Sequence, residues 1–91
     1  MSHNYVSRIT ERNLEKPDIP LISLKPPSAI IGHRDEIILP PQSLQGEHEA
    51  ELAVVIGRRG RWIAPEEALS HVLGYTIAND VTARDLQRRD G

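Results

Sequence analysis

At 91 residues the chain holds one domain at most, and a chain this short buries only about 60 to 65% of its unfolded surface, so its core starts with little margin. Thirteen acidic residues against eleven basic ones leave a net charge of −2, which gives no electrostatic footprint for nucleic acid or an anionic membrane surface. No cysteine is present, which excludes disulfides and thiolate metal sites, and no run of about 18 apolar residues or basic-then-apolar N-terminus marks a membrane span or export, so the chain reads as soluble and cytoplasmic.

Tyr5, Trp62 and Tyr75 are the only large rings, so packing falls to Ile, Leu, Val and Ala. Tyr5 to Leu14 is expected to form a short polar helix or to stay mobile. Pro17, Pro20, Pro26 and Pro27 each remove a backbone donor and fix φ, which argues against sustained regular structure after Lys16. Ile37, Ile38 and Leu39 suit a brief strand ended by Pro40 and Pro41, with a loop over Gln42 to Gly46.

From Glu47 to Ile56, acidic residues at 47, 49 and 51 alternate with His48, Ala50 and Leu52, the period of two expected of a strand. Its second half, Leu52 to Ile56, is apolar on both faces and is expected to be buried on both. Gly57-Arg58-Arg59-Gly60 reads as a hairpin connection to a strand at Arg61-Trp62-Ile63, and the three arginines as solvated. Pro65 suits the start of a helix, Ala68, Leu69, Val72 and Leu73 share one of its faces, and Gly74 is its stop. Tyr75 to Ala78 resumes strand composition, Asn79-Asp80 ends it, and Thr82 to Gly91 can begin a helix. No repeat or linker is evident, and the chain reads as cut at Gly91.

Residues two apart on a strand point to one side, so Glu49 and Glu51 can bring two carboxylates to one point, with a third oxygen ligand from a neighbouring strand. Hard oxygen donors favour Mg²⁺, Mn²⁺ or Ca²⁺ over zinc. The alternative is the solvated face of an edge strand; the doubly apolar continuation weighs against it, because carboxylates entering a buried region need a cation. Asp80 is either a ligand or part of a turn. His3, His33, His48 and His71 fall in no zinc spacing and are read as surface or supporting residues.

Glu49-Ala50-Glu51-Leu52-Ala53-Val54-Val55-Ile56-Gly57, Gly74-Tyr75-Thr76 and Asn79-Asp80-Val81-Thr82-Ala83-Arg84-Asp85-Leu86-Gln87 together resemble the core of the fumarylacetoacetate hydrolase family. Lys25-Pro26-Pro27-Ser28-Ala29, Ile31-Gly32, and Asn4-Tyr5 with Glu11 extend the resemblance over nearly the whole chain. It implies a mixed, mainly β fold with short helices, here the N-terminal part of a single incomplete domain: residues 1–28 as lid and Pro-rich loop, residues 29–91 as the metal-binding β core.

The resemblance further implies Mg²⁺ or Mn²⁺, with Ca²⁺ admissible, on Glu49, Glu51 and Asp80, a substrate contact for Gln87, and support near the metal for Arg84. Arg84 reads equally well as an ion-pair partner of Asp85 or another carboxylate. The family's lid pattern Asn-Tyr-x-x-His-x-x-Glu falls on Asn4, Tyr5, Arg8 and Glu11. Arginine stays protonated and cannot replace histidine as a base, so Arg8 is expected to hold a substrate carboxylate. Glu11 is then the candidate acid/base, or a solvated helix residue. The implied function is metal-dependent C–C hydrolysis of β-diketo or acylpyruvate-type acids. Isomerase or decarboxylase activity on related unsaturated dioates, or an inactive metal-binding fragment, are the alternatives. The expected partners are a small keto or enol acid and, for the full-length protein, a second copy in a homodimer.

Overall fold

The computed structural model describes residues 4–90, in two compact units, Met1–Glu36 and Ile37–Gly91. Its regular elements are short helices and two-stranded antiparallel sheets, the mixed, mainly β composition expected.

In the first unit, helix α1 spans Val6–Glu11. The Tyr5 carbonyl accepts from the amides of Arg8 and Ile9, both at 3.1 Å, and starts the helix without a side-chain cap. Asn13 stops it: at φ 51° it turns the chain so that its own amide reaches Thr10 O at 3.2 Å and the Leu14 amide reaches Ile9 O at 3.0 Å. Asparagine tolerates this left-handed conformation because its short polar side chain bonds locally. Beyond it the prolines confine regular helix to a single 3-10 turn, Pro27–Ala29.

In the second unit, Ile37 to Leu39 forms no strand, contrary to expectation; no neighbouring backbone forms a ladder with it, and the chain turns at Pro40 to Ser43. Strand β1 (Gly46–Glu47) pairs with β4 (Thr82–Ala83), while β2 (Ala50–Ile56) pairs with β3 (Val72–Asn79). Helix α2 spans Arg84–Asp90.

The expected hairpin across Gly57 to Gly60 is replaced by this longer excursion to β3. Trp62 adopts φ 54°, a left-handed conformation that breaks any extension over Arg61 to Ile63, and its ring lies under Arg61 with the guanidinium 5.2 Å from the ring centre. The helix expected from Pro65 forms as a 3-10 helix, Pro65–His71, and gives way before Val72. Val72 and Gly74 instead face Ile56 and Val55 across the ladder, with an irregularity at that point, so Gly74 lies inside β3 and does not end the helix.

His71, read as a surface or supporting residue, is of the supporting kind: it is buried, 6% exposed, the one buried side chain among the described residues. Its Nδ1 stands 2.9 Å from Arg58 O and its Nε2 3.2 Å from the Arg58 guanidinium, while its carbonyl accepts from the amides of Gly57 and Arg58. Gly60 is needed beside it, because a Cβ there would stand 2.6 Å from the imidazole.

The expectation that Leu52 to Ile56 is buried on both faces is not met. Glu51 and Ala53 are half-buried, whereas Leu52 and Val54 on the opposite face are 61% and 48% exposed, and no hydrophobic residue among those described is buried. A two-stranded sheet with no covering layer leaves one face to water.

Candidate active site

The backbone of Glu49 is held from both sides by the end of β3. Its amide donates to the Asn79 side-chain oxygen at 3.1 Å, and its carbonyl accepts from the Asp80 amide at 2.8 Å. The asparagine of Asn79-Asp80 thus ties the hairpin's open end, and the aspartate emerges beside Glu49 with its Oδ1 shielded from solvent. Glu51 follows in β2, opposite Ala78, while Glu49 stands just before the strand begins at Ala50.

The Glu49 carboxylate is oriented in turn. Its Oε1 accepts from Thr82 Oγ1 at 2.7 Å and from an Arg84 terminal nitrogen at 2.8 Å. The Thr82 hydrogen bond is the largest cause holding the Glu49 carboxyl below its ordinary value of 4.5, and the Arg84 charge adds to it; burial and the neighbouring Asp80 charge oppose.

Arg84 is the hub. Its Nε donates to Glu47 at 2.9 Å, one terminal nitrogen to Glu49, and the other to the Gln87 side-chain oxygen at 2.7 Å. The Glu47 hydrogen bond leads in pushing the guanidinium pKa up. Of the readings left open for Arg84, the structure forms the ion pairs with Glu47 and Glu49, not with Asp85. Gln87 is exposed and meets this site through Arg84. In the first unit, Arg8 and Glu11 pair with each other at 3.3 Å on exposed α1.

Asp85 turns the other way. Its carboxylate accepts from Ser43 Oγ at 2.5 Å and from the Leu44 amide at 3.0 Å, and these two bonds, Ser43 first, hold its carboxyl below the ordinary 3.8. A depressed carboxyl pKa contributes stability that is present above the unfolded value and is lost as pH falls through the folded one. The pH titration of the Leu44 amide resonance should therefore have its midpoint below 3.8. A shift centred above 3.8 would show that the carboxylate is not held there.

Asn79, Thr82, Glu47, Ser43 and Asp85 were given no site role from sequence. Thr82 had a signal, since it stands two residues beyond Asp80; Ser43, some forty residues away from its partner, had none.

Among the described residues, no three His, Cys, Asp or Glu side chains stand together as a metal-holding cluster. The structure brings Glu49 and Asp80 together, with Glu49 Oε1 turned to Thr82 and Arg84 and Glu51 two residues further on in β2. Three carboxylates are nonetheless the donor set that a hard divalent cation takes, and half-buried like charges are stabilised by one. In the described residues the donor chemistry fits such an ion.

A small mainly β unit with acidic residues and a fixed guanidinium at the open end of a hairpin defines this class of site. The profile of the fumarylacetoacetate (FAA) hydrolase C-terminal family matches residues 1–91, and the chain belongs to that family. An uncharacterized protein of Methanocaldococcus jannaschii is 51% identical over 88 residues, covering 97% of this chain and 37% of its own length. The human mitochondrial oxaloacetate tautomerase FAHD2B is 49% identical over 89 residues, covering 97% of this chain and 28% of its own length. The solved structure of an uncharacterized protein from Mycobacterium abscessus superposes with a TM-score of 0.85 at 45% identity, over 100% of this chain and 36% of the other. The chain thus spans between 28% and 37% of the two relatives' lengths.

Proposed function

We propose that the complete gene product is a divalent-metal enzyme that moves a proton beside the carbonyl of a small keto or enol acid, with keto–enol tautomerisation of a dicarboxylic 2-keto acid such as oxaloacetate as its reaction. The observation that carries this reading is the meeting of Glu49, Asp80 and the Arg84 guanidinium at one hairpin end, with Glu51 alongside. The oxaloacetate tautomerase relatives support tautomerisation over the C–C hydrolysis expected first.

When bound by Glu49, Glu51 and Asp80, Mg²⁺ or Mn²⁺ supplies Lewis-acid stabilisation of charge developing on a substrate oxygen. Thr82 fixes the Glu49 carboxylate that would face the ion. Arg84 gives one N–H of each nitrogen to Glu47, Gln87 and Glu49, and the second N–H of each terminal nitrogen would be left for a substrate carboxylate. Hydrolysis additionally requires a base for water, and the position where the family pattern has histidine is Arg8, paired to Glu11.

The test follows enol absorbance after addition of oxaloacetate to the complete gene product with Mn²⁺, beside cleavage of an acylpyruvate. Tautomerisation should exceed the buffer rate by about 100-fold, as acid/base catalysis typically gives, with acylpyruvate cleavage near background. Rapid acylpyruvate cleavage with unchanged enol decay would return the assignment to hydrolysis.

A further inference from the structure

We propose that Asp85 is a positioning residue that latches the loop before β1 to the start of α2 and thereby aims Arg84 at the active site. This rests on the reading of Arg84 as a substrate-facing group.

Residues 43 to 47 are tied to residues 82 to 88 along their whole length. Asp85 takes Ser43 Oγ on one oxygen and the Leu44 amide on the other, at 2.5 and 3.0 Å. The Arg84 amide donates to Gln45 O at 2.8 Å, and the Arg88 guanidinium reaches the Gln45 side chain at 3.3 Å. Immediately beyond, Gly46 and Glu47 pair with Ala83 and Thr82. Segment 43–47 therefore runs antiparallel along 82–85, and its last residue, Glu47, supplies the carboxylate that takes Arg84 Nε.

Arg84 and Asp85 are adjacent, yet their side chains serve different partners. Arg84 spreads over Glu47, Glu49 and Gln87, while Asp85 is spent on the backbone and hydroxyl of the loop. Without Asp85, residues 43 and 44 lose their tie, and the register of the segment rests on the two-residue pairing of β1 with β4 and the contacts of Gln45 with Arg84 and Arg88. Two residues of ladder are a weak hold, and any slip moves Glu47, and with it the Nε anchor of Arg84. Asp85 thus acts on the site through Arg84 without facing it. An Arg84 misplaced by about 1 Å is enough to cost a large factor in turnover.

The experiment uses the complete gene product with Asp85→Ala, Arg84→Ala and the double variant, and reads two quantities. Solvent exchange of the Arg84 Nε–H, followed by nitrogen-15 NMR, needs no substrate and no metal. It should be slow in the parent and about tenfold faster in Asp85→Ala, as expected when a hydrogen-bonded group opens locally. The second quantity is kcat/KM for keto–enol conversion. Asp85→Ala should lower it about tenfold in the parent and less than about twofold in the Arg84→Ala background, because coupled residues are non-additive. Ser43→Ala should move both readouts in the same direction by less, and serves if Asp85→Ala fails to fold. Unchanged Arg84 exchange in both variants, or fully additive losses in the double variant, would overturn the latch. Should the gene product lack keto–enol activity, the proposed function falls and the exchange measurement alone decides the latch, in the same two directions.

Discussion

In calorimetry on the complete gene product, replacing Glu49, Glu51 and Asp80 together by alanine is expected to remove Mn²⁺ binding. Glu49 and Asp80 meet at the end of β3, joined backbone to backbone, where the Asp80 charge already opposes ionisation of Glu49, and Glu51 lies two residues on in β2. Crowded carboxylates repel one another and are relieved by a divalent cation, so their loss removes both the attraction and the ligands. The expected effect is a fall in affinity of more than about 100-fold, beyond the 10- to 100-fold typical of losing a supporting residue. Retention of parental affinity would place the ion elsewhere.

The second large effect concerns stability. Residues 1–91 expressed alone should show no cooperative heat absorption on scanning calorimetry. No described hydrophobic residue is buried, and Leu52, Tyr75 and Ile77 stand 61%, 59% and 82% exposed. Cooperative melting reports apolar area withdrawn from water together, and a chain this small rarely gathers more than about 3 to 5 kcal/mol even with a formed core. The exposed Leu52 and Ile77 lie opposite each other on one face of an uncovered sheet, so aggregation on warming is the expected outcome. A sharp, reversible transition would refute this.

The period of two was legible only over Ala50 to Ile56, which forms β2; the single strand expected from Glu47 is broken at His48 and Glu49, and Glu47 pairs with Thr82 in a separate sheet. The end of β3 at Asn79-Asp80 was legible, because the residue types themselves favour leaving a ladder. The partner of β2 was not legible. Gly57 to Gly60 carries every local mark of a tight hairpin, and only the left-handed Trp62 and the claim of His71 on the Gly57 and Arg58 amides send the chain on to β3. Val72 and Leu73 fit the helical face of the preceding segment, but Val72 is β-branched and finds Ile56 across the ladder. Burial was misjudged for a simpler reason: an apolar run states what a strand needs, not whether a covering layer is there. Within the site, the acidic residues were visible and their organiser was half-visible. Arg84 was assigned support, but its partners Glu47 and Glu49 lie 37 and 35 residues away, and which of many acids it would choose is settled by the pairing of β1 with β4.

The strict facing of β2 also limits how the gene can drift. Glu51 and Ala53 share one side of the ladder, and Leu52 and Val54 the other, opposite Ile77 and Tyr75. A single codon gained or lost between Glu51 and Val55 would rotate everything beyond it by half a turn and exchange the two sides. Changes of length in this stretch should therefore survive among descendants only in pairs, or at the irregularity between Val55 and Ile56, where the ladder already absorbs an extra residue.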